Sequence, residues 1–254
     1  MSLYKGNFFN GKFFLITGAS SGIGKATVEI LANYGARLVL CGRDKSKLED
    51  LLVNISDNNH ILSDNVLNDM DNSDDWLRSI TKEHGNLDGI FHCAGIELIR
   101  PIRMTRQSHV NQIFSSSIFA ALGIGRAVAS GGVLKDGGSL VFMSSVASLS
   151  GQAGMTVYSA AKSAIDGLTR SLAVELSSKK IRVNSIVSGA VRTPMHDRIT
   201  RASGELATEV YDANHLLGFG EAVDVAQAAI FLMSPESKWI TGTSLVVDGG
   251  YLAK

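Results

Sequence analysis

The chain has 254 residues with 24 basic and 24 acidic side chains, so nothing in its charge points to nucleic acid or an anionic membrane surface. Its length suits one large α/β domain; no stretch reads as apolar over a membrane span, the first ten residues lack a signal-peptide layout, and the cytoplasm is the default compartment. The only cysteines, Cys41 and Cys93, each end an apolar run and read as buried free thiols; neither a disulfide framework nor a metal site is expected.

Lys12 to Thr17 is an apolar run that stops at glycine, as a buried strand does. Thr17-Gly18-Ala19-Ser20-Ser21-Gly22-Ile23-Gly24 follows, then a helical pattern through Tyr34. Glycines in such a turn let the backbone approach a pyrophosphate at the amino end of the next helix. Arg37 to Cys41 is the second strand, ending in Gly42-Arg43. An acidic residue at this point binds a ribose 2′-hydroxyl, whereas arginine accommodates a 2′-phosphate, so Arg43 favours NADP(H) while leaving NAD(H) open.

Further strands are expected at His60 to Ser63, ending in Asp64-Asn65, and at Leu87 to Cys93, ending in Ala94-Gly95. A long helix spans Gln107 to Val128, with glycines suited to tight helix contact. Asp136-Gly137-Gly138 turns into a fifth strand, Ser139 to Met143, followed by Ser144-Ser145. A helix from Thr156 to Ser178 carries Tyr158 and Lys162, four residues apart and so on one face. The ammonium is expected to lower the pKa of the phenol, giving a proton donor or acceptor near neutral pH. Ile181 to Val187 is a sixth strand, residues 194–216 form a polar lid candidate, Ala222 to Met233 is an apolar helix, and Leu245 to Val247 is a last strand.

Strands and helices alternate without linker or repeat. That order predicts a single doubly wound parallel sheet, Rossmann-like, with helices on both faces and ligands outside the carboxyl ends of the strands.

With Thr17-Gly18-x-x-x-Gly22-x-Gly24, Ser145 thirteen residues before Tyr158, Lys162, Ile181-Arg182-Val183-Asn184 and Val247-Asp248-Gly249-Gly250, the chain resembles the short-chain dehydrogenase/reductase family over nearly its whole length. Its overall look is nearest to the 3-oxoacyl-thioester reductases. The resemblance implies one domain over residues 1–254 that interconverts a ketone and a secondary alcohol, with Tyr158 passing the proton. It implies that Lys162 tunes the tyrosine and holds ribose hydroxyls, and that Ser145 rather than Ser144 binds the substrate oxygen. The cofactor would lie along Gly18, Ser20, Ser21, Gly22, Ile23, Gly24, Arg43, Asp64, Asn65, Ala94, Gly95, Gly189, Val191 and Thr193. A homotetramer or dimer is implied as well.

Three positions depart from the family pattern. His92-Cys93 replaces a pair of asparagines, and His92 reads as a packed or hydrogen-bonded histidine, not a base. Ser188 replaces a proline. A gapless count back from Ser145 puts Ser117 where the family has a helix asparagine that relays protons to the lysine; Asn111 lies six residues earlier. The alternative is a nucleotide-binding sensor or scaffold with weak or no turnover. Sugar-nucleotide epimerases or dehydratases would need a substrate domain that this length does not provide.

Overall fold

The computed structural model describes residues 4–203 and 214–253. Seven parallel strands form one sheet in the order β3-β2-β1-β4-β5-β6-β9: β1 (Phe13–Thr17), β2 (Arg37–Cys41), β3 (Ile61–Ser63), β4 (Leu87–His92), β5 (Leu134–Ser145), β6 (Arg182–Ser188) and β9 (Ser244–Val247). The short strands β7 (Val191–Arg192) and β8 (Gly220–Glu221) pair with each other beyond it. The order reverses between β1 and β4, and the carboxyl ends of these two strands open a crevice there.

Successive residues of β1 and β2 alternate between two cores, which is why these strands read as continuous apolar runs. Leu15 and Val39 face one layer, with Leu77, Ile124 and Ile165. Phe14, Ile16, Leu38 and Leu40 face the other, with Val28, Leu31 and Ile230. The first layer comprises α3 (Met70–His84), α4 (Gln107–Phe114), α5 (Ala120–Ala129) and α6 (Thr156–Glu175); the second includes α1 (Gly22–Asn33), α2 (Lys45–Val53) and α8 (Ala222–Met233). Between β7 and the undescribed residues runs α7 (Pro194–Ser203).

Three expectations need correction. The long helix is broken by a π-helical turn, Ser115–Phe119, between α4 and α5. The same run, Gln107–Ala129, is after all long and apolar enough to cross a membrane by length and composition, but its apolar face packs on the sheet through Ile113, Ile118 and Ile124. Strand β5 begins at Leu134, not Ser139, because Gly137 (φ +79°) and its neighbours form a bulge: Leu87 pairs with Leu134 while Gly89 pairs with Ser139. Of the lid candidate, residues 194–203 are largely helical, and residues 204–213 lie outside the described residues. The glycine prediction holds at Gly123, where a Cβ would come 2.3 Å from the Met70 carbonyl, so only glycine lets α5 approach α3 this closely.

Candidate functional site

Strand β1 delivers Thr17 to the crevice, and the chain turns through Gly18 (φ +68°) to Gly22 (φ +52°), a left-handed conformation that favours glycine. A Cβ at Gly18 would lie 3.0 Å from Ala94 N, and one at Gly24 would lie 2.2 Å from the Gly18 carbonyl oxygen. The turn is therefore pressed against both the end of β4 and its own helix. At the start of α1 the Ser21 side chain makes no capping bond and no acidic residue occupies the first turn. The N–H groups of a helix's first turn and the helix dipole suit this end to a phosphate, and the turn fits a dinucleotide.

At the end of β2, Arg43 is exposed and lines the cleft, while a Cβ on Gly42 would meet Ser20 Oγ at 3.3 Å. Asp44 lines it too, but its carboxylate caps α2: Oδ1 accepts from Ser46 Oγ at 2.9 Å and Lys47 N at 3.3 Å, and Lys47 Nζ lies 2.9 Å from Oδ2. Bonds from Lys47 and Ser46 hold this carboxyl down to about 2. Asn65 lines the cleft after β3; Asp64 is exposed and does not.

Strand β5 places two serines at the crevice with different duties. Ser144 Oγ donates to the Lys162 carbonyl at 3.3 Å. Ser145 Oγ accepts from Ala147 N at 3.2 Å and interacts with Tyr158, lowering the tyrosine pKa. One turn apart on α6, Tyr158 and Lys162 are both buried. Burial pushes the Tyr158 phenol up to about 12, with Glu97 and Cys93 adding to the rise, and pushes the Lys162 ammonium down to about 8. The net shift of the tyrosine is thus opposite to the one expected from a neighbouring ammonium, because burial dominates and Ser145 is the group that opposes it. Lys162 Nζ donates to the Met143 carbonyl at 2.9 Å and sits 5.6 Å from the centre of the Tyr158 ring. Tyr158 is a fully protonated acid at neutral pH.

The end of β4 is bound to the end of β1. Thr17 Oγ1 accepts from Ala94 N at 3.0 Å and is 2.9 Å from His92 Nδ1. Burial, with Lys162 nearby, lowers the His92 pKa to about 4, partly opposed by the Ser117 and Ser116 carbonyls, so the ring is neutral. Those carbonyls belong to the π-helical turn, in which the Ala120 N–H reaches back to the Ser115 carbonyl. Ser117 is buried and off the cleft lining, and its Oγ has no hydrogen-bond partner among the described residues; His92 Nε2 meets the Ser116 and Ser117 carbonyls without a well-aligned bond. Asn111 lines the cleft.

Together these groups bound a cleft of ≈ 1680 Å³. It gathers Gly18, Ser20, Ser21, Gly22, Ile23, Arg43, Asn65, Ala94, Gly95, Ser145, Tyr158, Lys162, Gly189, Val191 and Thr193, and leaves Gly24, Asp64 and Ser117 off its lining. Two residues escaped the sequence reading. Glu97, just past β4, lines the cleft and pairs through Oε1 with Arg198 Nε of α7 at 3.3 Å. His215 Nε2 accepts from Ala190 N at 3.0 Å and steadies the turn after β6. A charged residue two positions past Ala94-Gly95 was the available signal for Glu97; none existed for His215. Cys41 is buried and Cys93 partly buried, and both are free. Among the described residues no three His, Cys, Asp or Glu side chains cluster as metal ligands.

Residues 18–252 match a family model described as Enoyl-(Acyl carrier protein) reductase. The chain is 31% identical over 240 residues to the 3-oxoacyl-(acyl-carrier-protein) reductase FabG of Vibrio cholerae, covering 94% of this chain and 97% of that one. It is 32% identical over 244 residues to L-xylulose reductase of Mus musculus, covering 96% and 97%. Among solved structures, a short-chain dehydrogenase/reductase from Mycobacterium ulcerans superposes with a TM-score of 0.85 at 30% identity, covering 97% of this chain and 91% of the other. Levodione reductase superposes at 0.86 with 28% identity, covering 96% and 99%.

Proposed function

Because the chain belongs to the short-chain dehydrogenase/reductase family, enzymes that act on carbonyl and alcohol groups with NAD(P)(H), we propose that it is an NADP(H)-dependent reductase of a small-molecule ketone, with Tyr158 as the proton donor. The observation that carries this reading is the convergence of Ser145, Tyr158 and Lys162 on the cleft into which the glycine turn opens. When bound, the nicotinamide supplies the hydride to the carbonyl carbon. Ser145 donates a hydrogen bond to the carbonyl oxygen, and Tyr158, held protonated by burial, transfers its proton to that oxygen. Lys162, with its pKa brought down to about 8, can both stabilise the tyrosinate left behind and pass a proton on near neutral pH.

Arg43, which lines the cleft at the end of β2 while Asp44 is committed to capping α2, supports NADP(H) over NAD(H). Ser117 Oγ, in the place of the family's helix asparagine, would hold the relay between Lys162 and solvent. Residues 1–254 act as one domain in this reading, and the cytoplasm is the compartment it assigns. Exposed apolar side chains on the outer helices, Phe119 and Val174 among them, support assembly as a homo-oligomer. The substitution at Ser117 is also the one feature favouring the second reading, a nucleotide-binding sensor that has lost turnover.

The test is oxidation of NADPH, with NADH in parallel, against a 3-oxoacyl thioester and a panel of short ketones. Turnover preferring NADPH, reduced about tenfold for NADPH alone in Arg43→Ala, is the expected result. NADPH binding without turnover on any ketone would favour the sensor.

A further inference from the structure

Among the described acidic side chains, Asp166 and Glu97 each keep one buried carboxylate oxygen without a hydrogen-bond partner, and of the two only Glu97 lines the cleft. It follows Ala94-Gly95-Ile96 at the carboxyl end of β4, lines the cleft, and interacts electrostatically with Tyr158. Its side chain is only 10% exposed. The loop that carries it is pinned to the approach of α6 by the bond from Arg100 N to the Gly154 carbonyl, at 2.7 Å. Gly154 itself has φ +81°, and a Cβ there would meet Ile99 at 3.1 Å, so this approach has little slack.

One oxygen of Glu97 is spoken for and the other is not. Oε1 accepts from Arg198, the one cation within ion-pairing distance among the described residues. Oε2 is buried and has no hydrogen-bond partner among them. Arg198 is 60% exposed, and an ion pair with so solvated a partner contributes too little to explain why a carboxylate is buried beside the reacting centre. An unpaired buried acceptor costs stability, so its retention calls for a ligand that completes it.

We propose that Glu97 Oε2 is a substrate-reading group that accepts a hydrogen bond from a hydroxyl on the carbon next to the reacting carbonyl, and that the substrate class is therefore hydroxy ketones rather than plain alkyl ketones. The hydroxyl is preferred to an ammonium because Arg198 already balances the carboxylate charge; what Oε2 lacks is a donor, not a second cation. The cleft lining also includes Ser108, Asn111, Gln112 and Ser115, polar side chains that suit the same chemistry. This inference rests on the reductase reading and narrows it.

A matched pair isolates the effect: kcat/KM for 1-hydroxy-2-butanone and 2-butanone, in the wild type, Glu97→Ala and Glu97→Gln. Any change that Glu97 exerts through the Tyr158 pKa alters both ketones alike and cancels in the ratio. The wild type should favour the hydroxy ketone by about tenfold or more, the return expected from one hydrogen bond to a charged acceptor. The ratio should collapse towards unity in Glu97→Ala and stay intermediate in Glu97→Gln, which keeps an acceptor without the charge. A wild-type ratio near one, or a ratio unchanged in Glu97→Ala, overturns the proposal. If neither ketone is reduced, the reductase reading is decided by the wider ketone panel, and thermal protection of the NADP⁺-loaded protein by 1,2-butanediol against 2-butanol decides the role of Glu97 by itself. Stronger protection by the diol that disappears in Glu97→Ala supports it; equal protection overturns it.

Discussion

The two ends of β4 treat a carboxylate in opposite ways. Asp88, near the amino end, is buried to a similar degree as Glu97, yet both its oxygens are satisfied: Oδ1 by Lys12 at 3.1 Å, and Oδ2 by Lys135 at 2.7 Å and the Phe13 N–H at 2.9 Å. Burial alone would raise its pKa, but Lys135, the Phe13 amide and Lys12 together bring it below the usual carboxylate range. Past the carboxyl end, Glu97 Oε2 and Ser117 Oγ are buried without partners among the described residues. Polar groups at one end are fully committed to the fold; at the other they are held back for something that binds. Such an asymmetry along a single strand is stronger guidance to a site than any one residue, because each unsatisfied group costs stability that the fold gains nothing from.

Substitutions at the two ends should therefore separate activity from stability. The largest effect is expected for Tyr158→Phe, which should lower kcat by at least about a hundredfold, the usual worth of a positioned proton donor, while NADPH affinity stays nearly intact. Comparable turnover in the variant would remove Tyr158 from the mechanism. Asp88→Asn should do the reverse, costing roughly 1–3 kcal/mol of stability by unpairing the two lysines, with kcat preserved. Since the native Asp88 pKa is depressed, its contribution is present above the unfolded carboxyl value and lost as pH falls through the native one. The acid limb of the thermal midpoint should accordingly flatten in Asp88→Asn.

A smaller effect is expected from Lys162. Its native pKa of about 8 lies below the ordinary 10.5, so between these values the unfolded chain binds more protons than the native one. Stability contributed at this site then rises with pH across that window. Thermal midpoints measured without added cofactor should climb for the wild type relative to Lys162→Met from pH 8 to 10.5; parallel curves would mean that the ammonium is not penalised by burial. Smallest of all, Ser117→Ala should lower kcat by less than about tenfold, the scale of a single hydrogen bond, and shift its pH profile without changing the midpoint by more than a degree or two. An unchanged profile would take Ser117 out of the proton path.

What could be read from the sequence was what local pattern controls. Arg37–Cys41 was read with the bounds it has, because a buried parallel strand is a run of apolar residues stopped by a turn. Ser145, Tyr158 and Lys162 reach one cleft because strand ends and a helical four-residue step fix their positions. The bulge in β5 and the π-helical turn escaped, since hydrogen-bond register there is set by neighbours in space: Asp88 and β4 for the first, α3 against Gly123 for the second. The direction of the Tyr158 shift escaped for the same reason, as spacing reports a nearby charge but not the depth of burial. The sequence places Asp64 and Asn65 together after a strand expected at His60 to Ser63; only Asn65 lines the cleft, because the two lie past the end of β3, where no strand pattern fixes their direction.

The π-helical turn also sets the phase of a long helix. One added residue advances the wheel by about 100°, so the faces of α4 and α5 are offset across the π-helical turn. That offset lets α4 turn Ser108, Asn111 and Gln112 to the cleft while α5 keeps Gly123 against α3. Length, more than identity, is thus the quantity that evolution or an engineer can least afford to change between Ser115 and Phe119. Deleting a single residue there would leave every side chain named above in the sequence, yet force a choice between a correctly aimed cleft wall and a correctly seated helix.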